Sequence, residues 1–263
     1  MHILGSRQNP LVKEMRKLHS AKGRDRQKQF LLEGTHLLEA ALEANYPLMA
    51  VCCTPKWQER HGQLWEDLKK QARRSVLASE SVLEAIATTM QPDGIVATAQ
   101  RRTTELPAIA TSGVALALET IQDPGNLGAI IRTATAAGAD GLWLSADSVD
   151  LDSPKVLRAS AGQWFRLPMA VSSDLKARVI DCRSRGMQVI ATHSNAPVTY
   201  WEIDYRRPTL ILLGNEGAGL SAELSAIADF QVRIPLMAGV ESLNVAIAAA
   251  LVLYEALRQR EQS

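Results

Sequence analysis

At 263 residues the chain is long enough for two modest domains. Its 46% hydrophobic and 22% charged content is that of an ordinary soluble globular protein, not of a disordered or membrane-spanning one. The net charge of +1 is silent about nucleic acid as a partner, but the distribution of charge is not. A polar, basic beginning leads us to expect no signal peptide, and the apolar run 245–253 is too short to span a bilayer. Three cysteines without metal-ligand spacing suit small buried residues in a reducing cytoplasm, with no metal and no membrane attachment.

The first thirty residues set Arg7, Lys13, Arg16, Lys17, Lys22, Arg24, Arg26 and Lys28 against only Glu14 and Asp25. Leu11, Met15 and Leu18 recur at helical spacing, which predicts a short amphipathic helix with a basic face. Such a face suits solvent, or it serves as an electrostatic arm for phosphates through Arg7, Arg24, Arg26 and Lys28. From Phe30 to Gln100 short apolar runs alternate with amphipathic stretches: FLLEG, LMAVCCT, SVLAS and GIVATAQ read as strands. Thr54-Pro55 is an N-cap with proline at the first helical position, and Ser81 with Glu84 suggests a capping box. A compact α/β domain over residues 1–100 is therefore expected. Residues 101–112 have no hydrophobic period and read as a linker, leaving 113–263 as a second domain.

The second domain opens with VALALETI, followed by GLWLS, QVIATHS, TLILLGNE and FQVRIPL, all separated by helical stretches. That alternation predicts a parallel sheet covered on both faces. In DPGNLGAIIRTATAAGAD the residues Leu127, Ile130, Ile131 and Ala134 form one stripe, from which Arg132 projects away. Ser153-Pro154 starts a locally basic helix containing Lys155 and Arg158, which suits either an RNA-phosphate surface or a plain amphipathic helix. After TLILL comes a turn with Gly214, Gly217 and Gly219 around Glu216; a later loop carries Ser242 and Asn244 to the mouth of an almost wholly apolar helix. Glu216 fits an exposed turn carboxylate as well as a designed position, and Ser242 and Asn244 fit helix caps as well as ligand contacts. A dinucleotide fold should show GxGxxG after its first strand; DPGNLG has the wrong spacing there.

DPGNLGAIIRTATAAGAD, GNEG and IPL with ESLNVAIAAAL, in that order, resemble the three motifs of the SpoU (TrmH-type) group of SPOUT RNA methyltransferases. The stretch 1–100 is similar to the ribosomal-protein-like substrate-binding domain that precedes the catalytic domain in many such proteins. The resemblance implies an α/β, parallel-sheet SPOUT domain with a C-terminal trefoil knot, a homodimer, and S-adenosyl-L-methionine as cofactor. It implies cofactor contacts at Gly214, Ile234 and Leu243, with Thr192 and Ser194 nearby. Arg132 matches an arginine that reaches the partner subunit's active site and stabilises a developing alkoxide. Asn126, Glu216, Ser242 and Asn244 match residues that position the arginine, the ribose and the loops. The implied reaction is 2′-O-ribose methylation of RNA, with ribosomal RNA favoured by the two-domain plan. A transfer-RNA enzyme, a non-catalytic RNA-binding homologue and a nucleotide-binding reductase are the rivals.

Overall fold

The computed structural model describes residues 3–101 and 113–262, so the expected linker, apart from Arg101, lies outside the described residues. The described chain divides into two compact units, residues 3–101 with Asp150–Phe165, and residues 113–149 with 166–262.

The first unit is built on β1 (Ile3–Leu4), β2 (Gln29–Glu33), β3 (Leu48–Cys53), β4 (Ala72–Ala78) and β5 (Ile95–Gln100), ordered β1-β4-β3-β5-β2. β5 runs antiparallel to both of its neighbours, whereas β1, β4 and β3 are mutually parallel. β2, β3 and β5 are buried on both faces along almost their whole length, which is why they read as continuous apolar runs. One face is covered by Leu11, Val12, Met15 and Leu18 of the N-terminal helix Pro10–Lys17 and its end, together with Val82, Leu83 and Ile86. On the other face Phe30, Leu37, Leu38, Trp57, Trp65 and Leu68 make a second core. Thr54 caps its helix as expected, but the helix Glu80–Ile86 starts two residues before the expected box, with Ser79 Oγ accepting from Val82 N.

The expected boundary placed 150–165 in the second domain; its contacts put it in the first unit. Trp164 packs against Phe30 with ring centroids 5.2 Å apart, and Phe165 lies 5.2 Å from Tyr46. Asp150 and Asp152 pair with Arg24 and Arg101. Aromatic burial and charge pairing thus hold this segment, and neither is visible in a local hydrophobic period.

The second unit contains β6 (Val114–Leu118), β7 (Gly141–Ser145), β8 (Met169–Ser172), β9 (Gln188–Thr192), β10 (Val198–Thr199), β11 (Thr209–Leu213) and β12 (Phe230–Arg233). Their order is β10-β12-β9-β11-β6-β7-β8, and every pairing is parallel. The five expected strands are present; β8 and β10 were not expected, being short and at the two edges. The helix Pro124–Ala136 buries Leu127, Ile130, Ile131 and Ala134 completely, as the stripe predicts. Each of the three larger side chains contributes roughly 1.5–3 kcal/mol by leaving water. That helix packs on the C-terminal helix Val245–Glu261. Parallel strands send all their C-terminal ends to one edge, so the loops after β6, β9, β11 and β12 gather there.

Candidate active site

β6 and β11 are neighbours in register, Leu118 opposite Leu213, so the loops that follow them leave side by side. The first loop runs to Asp123, whose Oδ1 accepts from Asn126 N at 2.8 Å and caps the helix Pro124–Ala136. Proline at the first helical position completes a start signal that fixes Asn126 in the first turn.

The loop after β11 is a tight turn closed by Asn215 N to Gly219 O at 3.0 Å and Gly219 N to Asn215 O at 2.9 Å. Asn215 Oδ1 accepts from Gly217 N and Ala218 N, each at 2.9 Å, and its Nδ2 donates to Thr120 O at 2.8 Å. Gly214 is required by this turn: a Cβ there would stand 2.2 Å from the Gly219 carbonyl carbon and 2.3 Å from Leu220 N. The close approach expected at Gly214 is therefore to the chain's own backbone.

Glu216 projects from that turn toward the first loop. Its Oε1 accepts from Asn126 Nδ2 at 3.0 Å, and the carboxylate also faces the backbone N–H groups of Gln122 and Asp123 at 3.5 and 3.4 Å. Asn126 Oδ1 in turn accepts from Asn244 Nδ2 at 2.8 Å. Asn244 Oδ1 accepts from Ala246 N at 2.9 Å and Ile247 N at 3.3 Å, which caps the C-terminal helix. One hydrogen-bonded chain thus joins three loops that lie far apart in sequence. It also orients both asparagine amides, because a carboxylate only accepts and the helix N–H groups only donate. Burial pushes the Glu216 carboxyl up, but the hydrogen bonds from Asn126 and the two backbone N–H groups outweigh it and hold it below its ordinary value.

Arg132 lies two turns further along the same helix, exposed, and among the described residues it makes no hydrogen bond or ion pair. Leu243 is exposed and Ile234 half-buried, on the loop that follows β12, while Gly214 is buried. Thr192 ends β9, between β11 and β12, and its Oγ1 donates to Leu212 O at 3.1 Å. Ser194 follows, exposed. Ser242 is exposed and lies outside the hydrogen-bonded chain; Asn244 alone caps the helix. Sequence reasoning missed Asp123, Asn215 and Arg233. The Asp-Pro pair signalled the first, and turn chemistry the second. Nothing local marked Arg233, whose Nη1 donates to Ala196 O and Pro197 O at 2.5 Å and ties down the loop after β9.

The expected phosphate contacts divide. Arg24 is 3% exposed, with Nη2 on Asp150 at 2.8 Å and Nη1 on the carbonyls of Leu18 and His19; a guanidinium buried and spent in this way does not present itself to RNA. Arg158 pairs with Glu33 at 3.1 Å and donates to Thr88 Oγ1, so it too is occupied within the first unit. Lys28 pairs with Asp25 on the surface, and Arg7 Nε donates to Ser81 O at 3.1 Å. Arg26 and Lys155 are exposed. Among the described residues no cluster of histidine, cysteine and carboxylate side chains is placed to hold a metal ion, and no helix is long and apolar enough to cross a membrane.

Residues 113–254 match the SpoU rRNA Methylase family, and residues 9–97 match the MRM3-like substrate binding domain. An uncharacterized tRNA/rRNA methyltransferase of Synechocystis is 48% identical over 97% of this chain and 93% of its own length. The 23S rRNA (guanosine(2553)-2′-O)-methyltransferase RlmP of Bacillus subtilis is 35% identical over 97% of this chain and 98% of its own. A crystal structure of an AdoMet-bound rRNA methyltransferase from Sinorhizobium meliloti superposes with a TM-score of 0.88 at 34% identity, covering 98% of this chain and 97% of that one. Motifs, strand order and end-to-end similarity agree: the chain belongs to the SpoU family, the S-adenosylmethionine-dependent RNA 2′-O-ribose methyltransferases of the knotted SPOUT fold, and carries an N-terminal substrate-binding domain.

Proposed function

We propose that this chain methylates a ribose 2′-hydroxyl of ribosomal RNA, using S-adenosylmethionine. The hydrogen-bonded chain Glu216–Asn126–Asn244 carries this reading, because it ties all three motif loops together, and the helix that Asn126 opens also carries the unspent Arg132. The ribosomal target is supported by the relative named for 23S rRNA, which is similar across both domains. The loops after β9, β11 and β12 fit the cofactor: Gly214, Ile234 and Leu243 offer main chain and apolar surface to a purine, with Thr192 and Ser194 beside them. When bound, S-adenosylmethionine supplies a methyl group on a positively charged sulfur, which departs as a neutral thioether.

The protein's own residues orient the ribose and stabilise the oxygen as the 2′-hydroxyl gives up its proton to solvent or a substrate phosphate. Holding the hydroxyl in line with the methyl carbon contributes about 7–11 kcal/mol at best. A guanidinium offers five N–H donors and no acceptor, so Arg132 stabilises the alkoxide that develops and is not itself the base. Asn126 is held by Glu216 on one side and Asn244 on the other, and Ser242 stands free in the neighbouring loop to meet the ribose. Calorimetry should show S-adenosylhomocysteine binding and no NAD binding. Mapping 2′-O-methyl groups in RNA from a strain lacking the protein should reveal a missing ribosomal site; a missing transfer-RNA site instead would overturn the choice of substrate.

We further propose a homodimer with shared sites. The C-terminal helix leaves Ile247 53%, Leu251 38% and Tyr254 51% exposed at i, i+4 and i+7, an apolar stripe that favours burial against a second copy. Sedimentation should give a dimer that Ile247→Glu with Leu251→Glu converts to monomer. A heterodimer of Arg132→Ala and Leu243→Arg chains should regain one working site; no recovery would count against sharing.

A further inference from the structure

We propose that Asp147 is a positioning residue for methyl transfer, holding Thr120 in the backbone shape that brings Glu216 and Asn126 together. Thr120 has φ +54, in the left-handed region that a β-branched residue rarely enters. Such a conformation persists only where the surroundings over-determine it, and such sites gather around function. Here every polar atom of Thr120 is held. Its N–H donates to Ser145 Oγ at 2.7 Å, its Oγ1 donates to Asp147 Oδ2 at 2.7 Å, and its carbonyl accepts from Asn215 Nδ2 at 2.8 Å.

Asp147 closes this network from below the first loop. Ser145 Oγ donates to Asp147 Oδ1 at 2.5 Å, which uses its one proton. Ser148, 2.9 Å from Ser145 Oγ, must then donate to it while accepting from Ile121 N at 3.0 Å. Each proton therefore points toward one acceptor-only group, the Asp147 carboxylate. Hydrogen bonds from Ser145 and Thr120 hold that carboxyl below its ordinary value, in keeping with this arrangement. The consequence runs forward along the chain. Thr120 directs Gln122 and Asp123 toward Glu216, and its carbonyl anchors Asn215, the residue next to Glu216. Asp147 belongs to neither the cofactor loops nor the Glu216–Asn126–Asn244 chain, so its effect on the reaction passes through Thr120.

This role rests on the methyltransferase reading, and the test separates the two. Asp147→Ala in the full chain should lower kcat by about tenfold to a hundredfold, the scale of a small misplacement of reacting groups. The KM for S-adenosylmethionine should move by less than about twofold, because Asp147 itself makes no hydrogen bond to the cofactor loops. Asp147→Asn keeps an acceptor for Thr120 and should recover most of kcat. In a Thr120→Ala background, Asp147→Ala should add little further loss, the signature of one acting through the other. Hydrogen exchange over residues 119–126 should quicken in Asp147→Ala, whatever RNA is supplied. An unchanged kcat, a loss that Asn does not rescue, or losses that add in the double variant would overturn the proposal. If the wild-type chain methylates no RNA, the functional reading fails, and unchanged exchange over 119–126 would then overturn the hold of Asp147 on Thr120 by itself.

Discussion

Arg24 and Arg132 sit on helices in the two units, and their surroundings have opposite character. Arg24 is 3% exposed and spends its donors on Leu18 O, His19 O and Asp150, with Asp152 at 3.4 Å. Arg132 is exposed and, among the described residues, spends none. The difference separates a charge used up within the fold from one left available. A guanidinium whose hydrogen bonds are made within the fold fixes architecture; one whose donors point outward retains its capacity for a ligand. Arg101 belongs with Arg24: it pairs with Asp150 and Asp152, and those hydrogen bonds push its already high pKa higher still.

Breaking the buried partner should have the largest effect. Arg24→Ala leaves Asp150 and Asp152 short of a partner in a buried setting, and removal of one member of such a cluster costs about 3–5 kcal/mol. Urea unfolding of the wild-type and variant chains measures this directly; a midpoint unchanged within error would mean the ion pairs do not hold segment 150–165. Arg132→Ala should do the reverse, lowering methyl transfer by roughly 10²–10³ as for a lost oxyanion donor, while stability stays within about 0.5 kcal/mol. Arg132→Lys should restore only part of the rate, because an ammonium lacks the planar fork. A variant with full activity would remove Arg132 from the reaction.

The GNEG turn provides a milder and more local contrast. Gly214→Ala should destabilise the chain by about 1–3 kcal/mol, the cost of overpacking, because the new Cβ would meet Gly219 backbone at 2.2 Å. Gly217→Ala, whose Cβ would meet nothing nearer than Asn215 Oδ1 at 3.6 Å, should be close to neutral. Thermal unfolding of the two variants settles the comparison, and equal shifts would show that the turn opens freely. This also means that a bulky residue at Gly214 reports on the turn before it reports on cofactor.

Much of the site is legible in the sequence because its signals are local. The Leu127–Ala134 stripe, the glycines around Glu216 and an asparagine before an apolar helix each announce an element within a few residues. The resemblance then supplies roles. What stays hidden is pairing across long separations. Arg24 meets Asp150 over 126 positions, so a basic N-terminal stretch reads as an open arm when part of it is already neutralised. The same blindness hides that 150–165, part of the second domain by sequence, packs with the first unit, since Trp164 and Phe165 find Phe30 and Tyr46 only in the folded chain. The sheet's edge strands β8 and β10 escape notice for a different reason: four and two residues are too few to show a period.

The smallest expected effect is a pH dependence, and its sign distinguishes the two units. In the second unit burial pushes Glu216 up, but the hydrogen bond from Asn126 and the facing backbone N–H groups leave its carboxyl below the ordinary 4.5. A carboxyl lowered on folding adds stability that is fully present above its unfolded value and is lost as pH falls through its folded value. In the first unit burial pushes both carboxyls of the coupled pair up; hydrogen bonds bring Asp150 below its ordinary value, whereas Asp152 remains above it. Their contributions therefore run in opposite directions with pH. Glu216→Gln should accordingly be less stable than the wild-type chain at pH 7, and the gap should narrow as pH drops below about 4.5, where the wild-type carboxylate takes up its proton. Melting temperatures of both chains from pH 7 to pH 3.5 make the comparison. A gap that stays constant would mean that Asn126 does not depend on an ionised Glu216, and the hydrogen-bonded chain across the three loops would then have to be held from its Asn244 end alone.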